Sequence, residues 1–291
     1  MRKWRMLFWL ILVLVLLGHL FLTKNIWENR SQVRSDAPPG YVIPSKFSRV
    51  LSLGNRGLLS DFLFLKAATF FGAKAGNGKR LDRNEWLYFI DIIDAVTDLD
   101  PFFVDPYFLA EGILAWDAGM PEAANRILEK GTRYRSQDYR LPFFIGFNQF
   151  YFRNDYASAS DWIMKAARLP GSPDYFSTLA SRLAYYGGKS KTALLFLKQL
   201  IAESDDAMLR SRLGKRALAL ERAVTIEDAL EAFRKQERRQ PTALKELVAK
   251  GYLVAMPVDP YGGTWGVLTN GRVFSTSNFA EAPPTRKLGG Q

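Results

Sequence analysis

The sequence predicts a mainly helical protein: an N-terminal transmembrane helix, an α-α superhelix of stacked helix hairpins, and a small C-terminal module of one helix plus a β-hairpin. Three observations predict it. Residues 6–22, MLFWLILVLVLLGHLFL, carry no formal charge. Small residues recur at a spacing of 34, at Gly112, Gly146 and Ala180. Two short apolar runs near the end of the chain are joined through Asn270-Gly271, the strongest short hairpin signal.

The first run would span about 26 Å as a helix, slightly short of the ~30 Å hydrocarbon core. Its Leu, Ile, Val and Phe residues each favour insertion by roughly 0.3–0.6 kcal/mol, which outweighs Gly18 and His19. Trp4 and Trp27 lie near its ends, where interfacial aromatics belong, and Arg5 and Lys24 can snorkel to headgroups. Arg2, Lys3 and Arg5 keep the short N-terminal tail in the cytoplasm by the positive-inside rule. The rest of the chain is then expected in the periplasm, anchored to a bacterial inner membrane. A cleaved signal peptide would have a shorter apolar region, roughly 7–15 residues, and a small-x-small site. Residues 21–26, FLTKNI, offer no such site. Residues 1–24 are therefore read as tail and anchor. Residues 25–57, polar and carrying Pro38, Pro39, Gly40 and Pro44, are read as a linker.

Composition narrows the chemistry. A chain of 291 residues holds one or two soluble domains beyond the anchor. Cysteine is absent, which excludes disulfides, thiolate nucleophiles and thiolate metal sites. The one histidine, His19, sits in the apolar run near its end, so no soluble histidine can act as general base or metal ligand. No cofactor, metal or catalytic residue is expected. The formal charge of +11 suits an acidic partner, anionic lipid or nucleic acid. Six Lys/Arg against two acids in the first 36 residues account for +4 of it.

The repeat occupies residues 58–203. Ala124, Ala159 and Ala193 echo the first set of small residues at spacings of 35 and 34. Turns fall between the two sets: Gly119-Met120-Pro121, Arg153-Asn154-Asp155 and Gly187-Gly188-Lys189. A small residue on each helix of a hairpin lets the pair approach closely, while Phe108, Leu128, Phe176 and Phe196 fill the remaining space. One hairpin cannot bury its own apolar stripe, so several must stack.

The pattern Phe108…Gly112…Gly119…Ala124…Leu128, then Ile145-Gly146…Ala159, then Phe176…Leu179-Ala180…Gly187…Ala193, resembles the tetratricopeptide repeat family. A degenerate earlier copy fits residues 59–75 and 86–98. Two departures stand out: Glu111 holds a place where the family has leucine, and the third copy carries an extra residue in its turn. The resemblance implies a concave groove lined by fixed positions of each first helix. Carried over, these are Leu109, Ile113, Trp116 and Asp117; Arg140, Phe143, Phe147, Phe150 and Tyr151; and Asp174, Ser177, Ser181 and Tyr185. Aromatic residues beside arginine suit a protein or peptide hot spot. Glu111, an acid at a packing position, needs a partner, expected to be an arginine of a neighbouring repeat.

Residues 204–239 read as capping helices, over residues 207–221 and 226–237, with Thr225 as N-cap of the second. At Gln240-Pro241 the texture changes. A short helix is expected over residues 242–250, stopped by Gly251, then strands over 265–268 and 272–275. The order Pro241-Thr242-x-Leu244, Leu247, Gly251-Tyr252-Leu253, Pro257-x-Asp259-Pro260-Tyr261-Gly262 and Ser275-Thr276-Ser277 resembles the C-terminal end of type II secretion major pseudopilins. The prepilin processing motif is absent, so the chain is not expected to be a pilin subunit. That family's calcium site is not carried over, because no Asp or Glu occurs between Asp259 and Glu281. Asp259, Tyr261 and Trp265 are read as holding a tight turn and a mini-core. Residues 282–291 are read as a disordered tail.

Other signals yield to plainer readings. Gly76-Asn77-Gly78-Lys79-Arg80 lacks the first glycine and the hydroxyl residue of a phosphate loop, and reads as an interhelical turn. Asp91, Asp94, Asp98 and Asp100 read as a solvated face. Residues 210–250 hold eleven Lys/Arg and six acids with Phe233 as their one aromatic, which suits a solvated or anionic-lipid-near surface and not base stacking. The sequence therefore implies a membrane-anchored periplasmic adaptor that binds a protein or peptide partner and serves an envelope machine such as a secretion or pilus-type system. A carboxylate-based envelope enzyme acting on glycans and a nucleic-acid- or anionic-lipid-binding protein are the alternatives; no nucleic acid is expected.

Overall fold

The computed structural model describes residues 9, 12, 14–25, 42–268 and 271–280. The protein is mainly helical. It divides into two compact units, Met1–Ala123 and Ala124–Gln291.

In the first unit, residues 14–25 are helical (α1), with Leu14, Val15, Leu16, Leu17 and Leu20 all exposed. The apolar run predicted to cross the membrane falls in part outside the described residues. Among the described residues no helix is long and apolar enough to cross a membrane. Residues 26–41 of the predicted linker also lie outside them, but its second half is structured: α2, Ser45–Leu51, forms inside it and the next helix starts at Arg56, also within it.

The hairpin of α3, Arg56–Gly76, and α4, Arg83–Leu99, corresponds to the degenerate first copy. The turn between them places Gly78 at φ 65°, a left-handed conformation that glycine adopts without a Cβ penalty. The Asp82 carboxylate accepts from the Glu85 amide at 2.9 Å, and the Glu85 carboxylate accepts from the Asp82 amide at 2.9 Å, a complete capping box. The same Glu85 pairs with Lys74 on α3 at 2.6 Å, with both side chains only 9% exposed. Apolar residues at Phe89, Ile92, Ile93 and Val96 recur at helical spacing and form the buried face of α4.

Next, α5, Asp105–Ala110, runs directly into a π-helical segment, Glu111–Asp117. The wider winding shows in the Ala118 amide, which donates to the carbonyl of Ile113, five residues back, at 3.0 Å. A plain helix was expected here. The departure begins at Glu111, a buried acid.

The division between the units falls within α6, Pro121–Tyr134. The second unit continues with α7, Arg140–Tyr151, α8, Tyr156–Ala167, α9, Tyr175–Tyr186, and α10, Ser190–Glu203. From α7 to α10 each helix packs on the next in sequence. Their turns follow the prediction: Asn154 at φ 53° and Gly188 at φ 74° supply the left-handed residue that reverses the chain. Asp155 caps α8, accepting from the Ser158 amide at 2.9 Å. Close approach is real at Gly146, where a Cβ would stand 2.8 Å from Ile163, and at Gly187, where it would stand 2.7 Å from the Ala157 amide nitrogen. At Gly112 a Cβ would meet nothing within 4 Å, so this mark of the repeat is not a packing contact.

The two predicted capping helices are one. Helix α11, Ala207–Glu237, is continuous over 31 residues. Thr225 does not cap anything: its hydroxyl donates to the Glu221 carbonyl at 2.9 Å, within the helix. The apolar stripe Leu220, Ala223, Ile226, Leu230, Phe233 continues unbroken through this point, with no Gly or Pro to stop it. Asp206 is the N-cap, accepting from the Met208 amide at 2.8 Å and the Leu209 amide at 3.1 Å. The N-terminal half of α11 shares a core with α8, α9 and α10, built from residues such as Ile163, Phe176, Phe196 and Leu220. Its C-terminal half forms a second core with Leu247, Leu253 and Val273.

The C-terminal module is smaller in regular structure than predicted. Its helix, α12, is Lys245–Ala249, and Gly251 at φ 77° ends the turn after it. Strands β1, Trp265–Val267, and β2, Val273–Ser275, pair antiparallel with Gly266 opposite Phe274. Asn270, half of the predicted turn, lies outside the described residues, as does the 282–291 tail.

Candidate functional site

The predicted groove positions have different fates. In the first unit, Leu109 is half-buried, while Trp116 and Asp117 are exposed. Ile113 is not a groove residue but core, 6% exposed. Glu111 is buried too, and its partner is not an arginine: the Trp116 indole N–H donates to Oε1 at 3.3 Å. Burial raises the Glu111 pKa above the usual carboxylate range, and the Trp116 bond opposes that only in part.

In the second unit, α7 carries the aromatic positions. Phe143 stacks on Phe176 of α9 with ring centroids 4.6 Å apart, and Phe147 stacks on Tyr151 at 5.4 Å. Phe150 packs against Tyr156 of α8 at 5.8 Å. Phe143, Phe147, Phe150 and Tyr156 are half-buried, Phe176 is buried and Tyr151 is exposed. Arg140 is held by Asp138, whose carboxylate accepts from Nε at 2.8 Å and from Nη2 at 2.7 Å.

The α9 positions correct the expectation of an open groove. Ser177, Ser181 and Tyr185 are buried. Arg216 of α11 donates from Nε to the Ser181 hydroxyl at 2.7 Å and from Nη1 to the Phe279 carbonyl at 2.9 Å. The Phe279 ring lies 4.7 Å from that of Tyr185. Asp174 remains exposed and pairs with Arg212 of α11 at 3.3 Å. The chain's own helix and C-terminal segment thus cover this stretch.

Two cavities flank this closure. One, of about 610 Å³, is lined by Asp155, Tyr156, Tyr186, Glu227, Arg234 and Arg272 among others. Burial raises the Glu227 pKa, although the Ser190 hydroxyl donates to it at 2.9 Å. Arg272 lies over the Tyr186 ring at 5.1 Å and donates to the Tyr186 carbonyl. The other, of about 470 Å³, is lined by Thr178 and Arg182 of α9, by Ser211, Arg212, Lys215 and Arg216 of α11, and by Tyr261 and Phe279.

Arg182, Arg212, Lys215 and Arg216 were not grouped by the sequence, which placed residues 210–250 on a solvated surface. Arg216 is 3% exposed. A signal existed: Leu213, Arg216 and Leu220 follow helical spacing, which puts Arg216 on the apolar stripe. The tight turn read at Asp259 is present. Asp259 is buried and accepts from the hydroxyls of Ser275 and Ser277 and from the amides of Tyr261 at 2.9 Å and Gly263 at 3.1 Å. The Trp265 indole donates to the Pro257 carbonyl at 2.7 Å. Asp259 thus spends its oxygens within the turn.

No protein-family model matches this chain, no curated protein matches it, and no solved structure matches its fold.

Proposed function

We propose that this chain is a membrane-anchored scaffold that holds a protein or peptide partner on stacked helix hairpins of tetratricopeptide type. The observation that carries the reading is the succession of α7, α8, α9 and α10, each packed on its sequence neighbour through turns at matched places. Such nearest-neighbour stacks present extended surfaces for binding. The uncharged run over residues 6–22 supports an anchor in a bacterial inner membrane with the soluble part in the periplasm. The pseudopilin-like order of the tail makes a secretion or pilus-type machine the first place to look for the partner.

Photo-crosslinking in intact cells tests this reading. A crosslinker at Tyr151, with Phe147→Arg as the control, captures a defined protein partner that the control loses while its helical content stays unchanged. Capture that Phe147→Arg leaves intact removes the aromatic face from the reading. Protease protection that places the repeats in the cytoplasm reverses the location.

A second reading, an envelope enzyme acting on glycans, is favoured by one observation. Asp155, with its pKa lowered chiefly by Ser158, and Glu227, with its pKa raised by burial, line the same cavity. Acid-base cleavage of a glycosidic bond uses two carboxyl groups whose pKa values differ, set roughly 5–9.5 Å apart across the bond. Release of reducing ends from envelope glycan by the native chain but not by Glu227→Gln supports it; no release from either removes it.

A further inference from the structure

We infer that the outer face of α2 and α3 lies on an anionic lipid surface and holds the first unit against the bilayer, an inference that rests on the proposed anchor at residues 6–22. The carrying observation is which residues these helices bury. Among the described side chains, α2 buries Ser48, and the turn after it buries Ser52. The fully buried residues of α3 are Ser60, Ala67 and Lys74. The Ser60 hydroxyl donates to the Val96 carbonyl of α4 at 3.2 Å, and Lys74 pairs with Glu85. Phe70 and Phe71 of α3 reach Tyr88 and Phe89 of α4, so the hairpin has its own core. Val50, Leu51, Leu53, Leu58, Phe62 and Leu65 take no share in it and are 60% to 87% exposed. Small and polar residues face inward here while large apolar ones face outward, the reverse of a hairpin built for water.

The exposed residues are ordered along the chain. Leu58, Phe62 and Leu65 stand four and three positions apart, which places them on one stripe of α3. Leu53 occupies the turn between the helices at φ 48°, a left-handed conformation uncommon for a bulky residue, and it is the most exposed of the six. Apolar side chains grouped in this way mark a contact with a partner or a membrane. The outermost unit of a helical stack otherwise needs a polar outer face to stay in solution.

Charge selects the occupant. Among the described side chains of these two helices, Arg49, Arg56 and Lys66 are exposed cations, against Asp61 as the exposed acid. Two copies of this face would bring like charges together, whereas an anionic surface complements them. Apolar residues flanked by Lys and Arg suit a helix lying in the interface, its apolar side sunk about 5–10 Å into the headgroup region. The cations at its edge then reach lipid phosphates while their stems cover apolar surface. The tether points the same way. From Asn25, the end of α1, to Ser45, the start of α2, the chain could extend at most about 70 Å. An anchored chain therefore keeps this face beside the bilayer at a high effective concentration, an advantage that a free partner lacks.

The chain has no cysteine, so Leu58→Cys offers a single site for a nitroxide label. The full labelled chain is reconstituted into vesicles of phosphatidylglycerol or of phosphatidylcholine. Spin relaxation is read with oxygen, which enters lipid, and with a nickel chelate, which stays in water. In phosphatidylglycerol the label meets oxygen and is shielded from nickel; in phosphatidylcholine it meets nickel. A label at Asp91→Cys, exposed on α4, meets nickel in both. Phe62→Glu combined with Leu65→Glu raises nickel contact at position 58 by about tenfold, with helical content unchanged. A label as open to nickel in phosphatidylglycerol as in that double variant overturns the proposal. Equal shielding in the two lipids overturns it too, because charge would then play no part. So does dipolar broadening that disappears on dilution with unlabelled chain, which assigns the face to a second copy, or shielding that needs added polyglutamate, which assigns it to an acidic polypeptide. An alkaline carbonate wash separates this inference from the anchor. A chain retained with its label open to nickel keeps the anchor and removes the docking face; a chain released after its label was shielded does the opposite.

Discussion

Trp116 donates its indole N–H to the carboxylate of Glu111 at 3.3 Å, across five residues of a π-helical segment. In an α-helix, residues five apart project roughly 140° away from each other. The wider winding brings them to one face and gives a buried acid its donor. Trp116→Phe leaves that carboxylate without this bond and costs about 1–3 kcal/mol in urea unfolding. Titration supplies a second readout. Burial holds the Glu111 pKa above 4.5, so the native state binds its proton more tightly than the unfolded chain does. This contribution is fully present below 4.5 and is lost as pH rises through the native value. Glu111→Gln therefore flattens the fall in melting temperature between acid and neutral pH; an unchanged slope contradicts the assignment.

Gly112 and Gly146 stand 34 positions apart in the sequence, yet they differ physically. An added Cβ at Gly146 stands 2.8 Å from Ile163 and 3.0 Å from the Ala159 carbonyl, so Gly146→Ala costs about 1–3 kcal/mol through overpacking. At Gly112 the Cβ meets nothing within 4 Å, and Gly112→Ala stabilises by up to about 1 kcal/mol through helix propensity. Paired urea titrations decide it, and equal effects at the two sites refute the distinction.

Lys74 and Glu85 form a buried ion pair that ties α3 to α4. Lys74→Met strands the carboxylate and lowers stability by about 3–5 kcal/mol. Glu85→Gln on that background removes the stranded charge and restores much of the loss. A double variant no better than Lys74→Met alone shows the pair is not the source.

At Asp259, burial raises the carboxyl pKa, but donation from Ser275, Ser277, Tyr261 and Gly263 outweighs it and holds the group below 3.8. Stability from this carboxylate is present above 3.8 and is lost as pH falls through the lower native value. Asp259→Asn lowers the melting temperature at neutral pH, costing about 2 kcal/mol or more. The deficit relative to the native chain shrinks in acid. Gly263→Ala, whose Cβ would stand 2.5 Å from Asp259 Oδ2, destabilises at every pH. A deficit that stays constant with pH for Asp259→Asn contradicts the charge argument.

The elements that the sequence located are those governed by neighbours in the chain. The turns at Gly119, Asn154 and Gly188 need one left-handed residue each. Helices α7 to α10 follow from apolar spacing and from small residues a fixed interval apart. Even the hairpin near Gly271 is a local matter. The fate of Thr225 shows the limit: a hydroxyl that can cap a helix can also bond back to Glu221 within one, and the stripe on either side decides which.

The sequence by itself determined a helical protein with a run of paired helices, an uncharged N-terminal segment and a small hairpin module, because each rests on periodicity within a few residues. Only the tertiary structure decided that Ser181 and Tyr185 lie beneath α11 and Phe279, and that Arg216 is buried beside Arg182. Those outcomes depend on residues as far apart as Arg216 and Phe279, separated by 63 positions. Contacts at that distance are set by how long helices cross and which large side chain fills the space between them, and no local pattern encodes it.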